Sequence, residues 1–251
     1  MKVLVPIKRV IDYNVVVQIH PDCPEVVTEH VKMSINPFDE IALEEAITLS
    51  EQKEVSEVIV CAVGTELTTE QLRQALAMGA HNAIQVLAEE HIAQDPLCVA
   101  TVLHAIVRKE NINCVFMGKQ AIDNDCNQTG QMLAALLQWP QATFASKIIL
   151  KDDVFDVFRE VDGGTDVLQV PKQSVITVDL RLNQPRYITL PKIMMAKSKP
   201  LQTTTLLDLD LDLRPQLQRI ALEYPQARAK GRIFSDIESF MDAIQQDGVL
   251  S

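Results

Sequence analysis

Through residue 140, short apolar runs alternate with longer stretches whose apolar residues recur every three or four positions. Val3 to Ile7, Val58 to Val63, Ala83 to Leu87 and Cys114 to Met117 have the length and β-branched character of strands. Between them lie four expected helices. Asn36-Pro37 reads as a cap followed by proline in the first turn, with Asp39 and Glu40 behind it and the helix running to about Lys53. Thr68 or Thr69 opens a second helix, which Gly79 ends. Asp95-Pro96 opens a third, through Val99, Val102, Leu103 and Ile106, and Gln131 to Leu137 forms a fourth. Such alternation predicts an α/β fold with a doubly wound, mostly parallel sheet of the nucleotide-binding, Rossmann-like kind.

After Trp139-Pro140 the pattern changes. Phe144 to Leu150, Val154 to Val161, Val167 to Val170 and Ser174 to Leu182 read as strands, with turns at Asp152-Asp153 and Asp162-Gly163-Gly164. They are expected to run antiparallel and complete one edge of the sheet. From Leu201 the chain becomes acidic, Asp208, Asp210 and Asp212 alternating with Leu207, Leu209 and Leu211 as in an edge strand. Short helices are expected near Arg214 to Leu222 and Asp236 to Ile244. The division is therefore an α/β domain over residues 1–200 and a C-terminal arm over 201–251, too polar for its own core and expected to lie on another surface.

Composition narrows the function. A net charge of −11 is the wrong sign for neutralising phosphate backbones and argues against nucleic acid. No apolar run reaches 18 residues and no charged-then-apolar leader opens the chain, so neither a membrane span nor a secretory signal is expected. Five cysteines without CxxC spacing read as buried free thiols in a reducing compartment. The five histidines form no HxxH or HExxH pair, and no serine sits in GxSxG, which disfavours metal and hydrolase chemistry.

The most informative segment follows the strand ending at Gly118: Lys119, Gln120, Ala121, Ile122, Asp123, Asn124, Asp125, Cys126, Asn127, Gln128, Thr129, Gly130. It leads from a strand's carboxyl end into a helix N-terminus, where free N–H groups and the helix dipole favour an anion. Asn127, Gln128 and Thr129 add side-chain donors. Neither the P-loop nor the GxGxxG pattern is present. On the residues alone the segment is either a phosphate-binding loop or a polar loop capping a helix. Lys8 to Tyr13 reads as a solvated loop near the same edge.

The residues also resemble a known family, the beta subunit of electron transfer flavoproteins. The resemblance rests on VPIKRVIDY at Val5, INPFDEIALEEA at Ile35, LRQALAMGA at Leu72, GKQAIDNDCNQTGQM at Gly118, WPQATFAS at Trp139, REVDGG at Arg159 and DLRLNQPRYITLPKIM at Asp179. It implies a non-catalytic electron carrier subunit, paired with an alpha subunit that holds most of a shared FAD, and a structural AMP in this chain. The implied AMP contacts are Pro6, Asn36, Pro37, Phe38, Asp39, Val63 and the run Gly118 to Thr129. Tyr13 and Phe38 match positions near the flavin, and Leu190 matches the anchor that docks acyl-CoA dehydrogenases. The implied electron acceptor is the membrane electron transfer flavoprotein-quinone oxidoreductase, in fatty acid beta-oxidation. Expected locations are the cytoplasm in bacteria and the mitochondrial matrix in eukaryotes. A flavin-bifurcating relative with FAD in place of AMP, and a stand-alone nucleotide-binding module, are the alternatives. The sequence departs from the family pattern at Pro6, where relatives carry a small residue, at Pro171 with Gln173, and at Met195 and Ser198, which thin a lysine-rich stretch beside Lys197 and Lys199.

Overall fold

Strand β1 (Lys2–Pro6) sends alternate side chains into two different cores. Val3 and Val5 join one hydrophobic cluster and Leu4 the other. Strands β4 (Glu57–Gly64) and β6 (Cys114–Gly118) alternate in the same way, with Val58 and Val60 opposed to Ile59, and Phe116 opposed to Val115. Burial on both faces explains why these runs are apolar throughout. Helices α1 (Pro37–Glu51) and α2 (Thr69–Met78) contribute to the first core, while α4 (Pro96–Lys109) and α5 (Thr129–Leu137) contribute to the second. The structure, a computed structural model, describes residues 1–228 and 230–249.

Nine strands form the main sheet. Besides β1, β4 and β6 they are β5 (Asn82–Leu87), β7 (Gln141–Lys151), β8 (Val154–Val161), β9 (Gly164–Pro171), β10 (Val175–Val178) and β11 (Leu201–Thr205). Their order is β11-β5-β4-β1-β6-β10-β7-β8-β9, parallel from β11 to β7 and antiparallel only across β7-β8-β9. The doubly wound, mostly parallel α/β fold is thus as expected. One strand departs from expectation: β10 is short and interior, parallel to both β6 and β7. Its four residues are all buried, which a central strand allows and an edge strand would not.

Four elements lie outside the sequence pattern, one of them β11, which places Leu201–Thr205, expected at the start of the C-terminal arm, at the edge of the main sheet. Strand β2 (Arg9–Ile11) pairs with β3 (Met33–Ile35) in an antiparallel hairpin where a solvated loop was expected. A short helix, α3 (Glu90–Ala93), precedes α4.

Among the helix boundaries, Gly79 ends α2 with φ 150°, and the Asp95 carboxylate accepts from the N–H groups of Leu97 and Cys98. Thr68 is no cap; its hydroxyl bonds the Thr65 carbonyl and receives Gln85 Nε2.

Beyond the sheet, α6 (Leu190–Ala196) and α7 (Ile237–Gln246) are the helices. Leu207–Leu209 is a 3₁₀ turn, not an edge strand, because Asp208 accepts from both the N–H and the hydroxyl of Thr205. Residues 214–222 are irregular rather than helical. The Asp236 carboxylate caps α7 through the Ser239 N–H. Cys61, Cys98 and Cys114 are buried, Cys23 is half-buried and Cys126 is exposed on its loop, so burial does not extend to all five free thiols. Among the described residues, no helix is long and apolar enough to cross a membrane, and no cluster of three or more potential metal ligands occurs.

Candidate functional site

The chain runs from β1 to β4 on one side of β1, and β6 lies on the other side. The crevice at such a reversal, beyond the strands' carboxyl ends, is where open α/β sheets hold ligands. A cleft lies there, with Pro6, Val63 and Gly118 at the ends of its three strands. Asn36 and Asp39 form part of one wall, and Gln120, Ala121, Asn124, Cys126, Asn127, Gln128 and Thr129 form the loop side.

Buried polar side chains fix the loop to α1. The Asp39 carboxylate accepts from the Gly118 N–H at 3.0 Å and from the Lys8 N–H at 2.9 Å, joining the ends of β6 and β1. Burial pushes this carboxyl up to about 7, against the pull of the same backbone donors. Asn36 was expected as a helix cap, yet its side chain makes no capping bond. Its Nδ2 instead donates to the Gln120 carbonyl at 2.8 Å, and its Oδ1 accepts from the Ile122 N–H at 3.2 Å. The Asn36 backbone N–H donates to the Lys8 carbonyl at 2.9 Å. One fully buried amide therefore ties the β1 exit to the loop after β6.

Gly118 is required by space. A Cβ there would lie 2.4 Å from Asp39 Oδ1 and 2.6 Å from Phe38 Cβ. Asp125 and Asn127 adopt left-handed backbone (φ 50° and 49°), a conformation that Asn and Asp accept more readily than most residues. Asn127 Oδ1 accepts from Gln131 Nε2 at 2.9 Å, at the start of α5.

The anion-binding capacity of the cleft resides in backbone donors. Met132 N–H to Gln128 carbonyl begins the hydrogen bonding of α5, so the N–H groups of Thr129, Gly130 and Gln131 have no acceptor among the described residues. Thr129 and Gly130 line the cleft. The two nearby lysines are already paired: Lys8 Nζ lies 2.6 Å from Asp123, and Lys119 Nζ lies 2.7 Å from Asp179. Lys119, which also lines the cleft, has its Nζ 5.3 Å from the centre of the Phe38 ring. Free N–H groups at a helix start suit a phosphate even in an acidic chain.

The remaining candidates are distributed around this frame. Pro37 and the buried Phe38 open α1, while Ile122, Asp123 and Asp125 support the loop without lining the cleft. Asp125 accepts from Gln120 Nε2 at 2.7 Å. Tyr13 follows the β2 strand and is 73% exposed. Leu190, the first residue of α6, is 71% exposed and does not line the cleft. The sequence reading missed the opposite wall, where Ala93, Gln94, Pro96, Val99 and Leu103 supply a largely apolar surface. The Asp95-Pro96 helix start was visible, but only the fold shows that its first turns face the cleft.

A family profile described as "Electron transfer flavoprotein domain" matches residues 25–209. The chain belongs to the electron transfer flavoprotein beta-subunit family. It is 49% identical over 249 residues to the mitochondrial electron transfer flavoprotein subunit beta of rice, covering 98% of each chain. It is 46% identical over 251 residues to the subunit beta of Bradyrhizobium diazoefficiens, covering 100% of both. The human subunit beta is 47% identical over 250 residues, 99% of this chain and 98% of the relative. The family resemblance drawn from the motifs is thereby borne out, and it covers the C-terminal residues as well as the α/β body.

Proposed function

We propose that this beta subunit holds one AMP in the cleft as a structural ligand and, with an alpha subunit, completes an FAD-containing electron carrier. The observation that carries the AMP reading is the unpaired N–H array at the start of α5, facing a cleft whose strand end admits only glycine at position 118. The phosphate sits at Asn127 to Thr129, and the apolar wall of Val99 and Leu103 suits the purine. Pro6, Asn36, Asp39, Val63 and the cleft-lining residues of the Gly118 to Thr129 loop form the shell, with Pro37, Phe38, Ile122, Asp123 and Asp125 supporting it from behind. Pro6 offers no N–H, so it contributes shape and a carbonyl only.

The flavin supplies one-electron chemistry when bound; this chain's residues shape and dock around it. Tyr13 presents an exposed ring and Phe38 a buried one braced by Lys119, and both are assigned to the beta side of the flavin site. No residue of the chain is assigned a catalytic step. The C-terminal arm, expected from residue 201, packs on the alpha subunit only from about residue 214, since Leu201–Thr205 is strand β11 of the main sheet. Leu190 docks acyl-CoA dehydrogenases, and the quinone oxidoreductase of the membrane accepts the electrons. The subunit works in the cytoplasm of a bacterium or the matrix of a mitochondrion, and the rice relative is named mitochondrial.

Co-expression with an alpha subunit followed by denaturing extraction tests the reading. Release of AMP and FAD in equal amounts supports it. A second FAD instead of AMP would make the chain a flavin-bifurcating relative. A stable monomer with exchangeable nucleotide would make it a stand-alone nucleotide-binding module.

A further inference from the structure

The segment from Asn183 to Lys199 carries Leu190 in its middle, yet little of it is packed. Of the seven residues of α6, only Ala196 is buried. Beneath the helix lies a cleft lined by Leu76, Met78, Arg186, Met195 and Lys199. Ala196 joins the first hydrophobic core and Ile188 packs against it, but apolar burial alone does not fix this stretch.

Polar ties do so at both ends. At the first, Arg186 Nε and Nη2 each lie 2.9 Å from a different oxygen of Glu44, while Nη1 and Nη2 reach Glu51 at 2.5 and 3.1 Å. The Arg186 backbone N–H donates to Glu44 as well, at 3.1 Å. Asn183 Nδ2 donates to the Ile41 carbonyl and to Glu45 on the same helix. At the second end, Arg73 Nη1 donates to the carbonyls of Ala196 and Lys199, both at 2.8 Å. Lys199 Nζ donates to the carbonyls of Leu76 and Ala80, at 3.0 and 2.7 Å, where α2 ends. Arg186 and Glu44 are mostly buried, with side chains 20% and 10% exposed, so this pair is screened less than a surface pair. A planar guanidinium bonded to two carboxylates fixes direction as well as distance.

We infer that Arg186, gripped by Glu44 and Glu51, is a positioning residue for partner docking, and that Arg73 with Lys199 closes the far side of the same clamp. This rests on the reading of Leu190 as the docking anchor. The clamp holds the exposed Leu190 at a fixed place above α1 and α2, so that docking does not have to order a loose loop. Ordering interfacial loops weakens binding, and a preformed loop avoids that cost.

The test uses the complete FAD- and AMP-containing heterodimer and a purified acyl-CoA dehydrogenase. The variants are Arg186→Met, Arg186→Lys, Leu190→Ala, and Arg186→Met combined with Glu44→Gln. The combined variant removes both buried charges, so a folding defect from an orphaned Glu44 does not decide the result. The clamp predicts faster amide hydrogen exchange over residues 187–195 in every Arg186 variant. It also predicts a KM for the heterodimer raised about tenfold, with kcat and the rate of reduction by dithionite within about twofold of wild type. Arg186→Lys keeps the charge and loses the fork, so it should restore only part of the effect. Unchanged exchange, or an unchanged KM in the Arg186 variants while Leu190→Ala raises it, would overturn the clamp and leave the docking reading standing. An unchanged KM in Leu190→Ala would overturn the docking reading and the clamp's role with it. Loss of FAD or AMP in the combined variant would overturn the clamp too, returning the ion pair to general stability.

Discussion

Residues 2–205 and residues 214–249 are held by different forces. In the first region two hydrophobic cores cover both faces of a nine-stranded sheet. In the second, Ala243 is the only buried residue among those described, while Ile220, Ile233 and Ile237 are largely exposed. A few polar contacts tie that region to the body. The Gln216 N–H donates to Asp95 Oδ2, Arg219 reaches Gln94, and the Ile19 N–H donates to the Tyr224 hydroxyl. Gln94 also lines the cleft, so this stretch meets the body beside it. The difference teaches which parts of the chain are self-sufficient. A body with its own core folds alone, whereas an extended stretch with exposed apolar residues takes its shape from a partner.

The sharpest way to break this comparison is to remove the second region. Deleting residues 214–251 should leave the body folded, with a circular dichroism spectrum and unfolding temperature near those of the full chain. Size-exclusion chromatography with the alpha subunit should then show the heterodimer lost. A truncated chain that no longer folds would mean the region belongs to the core after all.

A change inside the body should act in the opposite sense. Gly118→Ala forces a Cβ against Asp39 and Phe38 at the end of β6. Overpacking of this kind costs about 1–3 kcal/mol, read as a lowered unfolding midpoint, and AMP should be lost as well. Retention of both AMP and stability would show that the contact relaxes freely.

Leu190 tests an exposed apolar residue that sits on the body rather than on the arm. Leu190→Ala removes one side chain of the class worth about 1.5–3 kcal/mol on full burial. Stopped-flow reduction by an acyl-CoA dehydrogenase should slow by about tenfold or more, with FAD, AMP and heterodimer content unchanged. A wild-type rate across dehydrogenase concentrations would remove the anchor assignment.

The smallest effects are those of pH, and two aspartates pull in opposite directions. Asp39 is raised from 3.8 to about 7, so the folded state binds its proton more tightly than the unfolded chain. Stability from this group is full below about 4 and declines as pH rises toward 7. Asp12 is lowered from 3.8 to about 2, chiefly by its hydrogen bond with Lys32. Its contribution is present above about 4 and fades as pH falls toward 2, loosening the β2-β3 hairpin. Melting temperatures from pH 4 to 8 should therefore fall more steeply for wild type than for Asp39→Asn. Parallel curves would indicate that Asp39 does not titrate in that range.

Much of the body was legible because its signals are local. The short apolar run over Val3 to Ile7, the Asp95 cap and the Gly79 stop each depend on neighbours within a few residues. The loop after Gly118 stood out for the same reason, as a polar run between a strand and a helix. What escaped depends on distant partners. Asn36 has the residue type of a cap, but its amide binds residues 84 and 86 positions away. Nothing near Asp39 in sequence shows that its carboxylate will be buried against Gly118. The short β10 looked like part of a long edge strand, since its interior place is set by β6 and β7 on either side. The apolar cleft wall on α4 was read as helix core because periodicity does not say which neighbour a helix face meets.

The central claim is that the cleft beside α5 holds AMP, and its most direct measurement is the nucleotide content of the purified heterodimer. Acid extraction and chromatography should yield one AMP for each FAD, and Gly118→Ala should yield FAD with little AMP. Recovery of ADP or ATP, of a second FAD, or of no nucleotide from the wild-type protein would contradict the account.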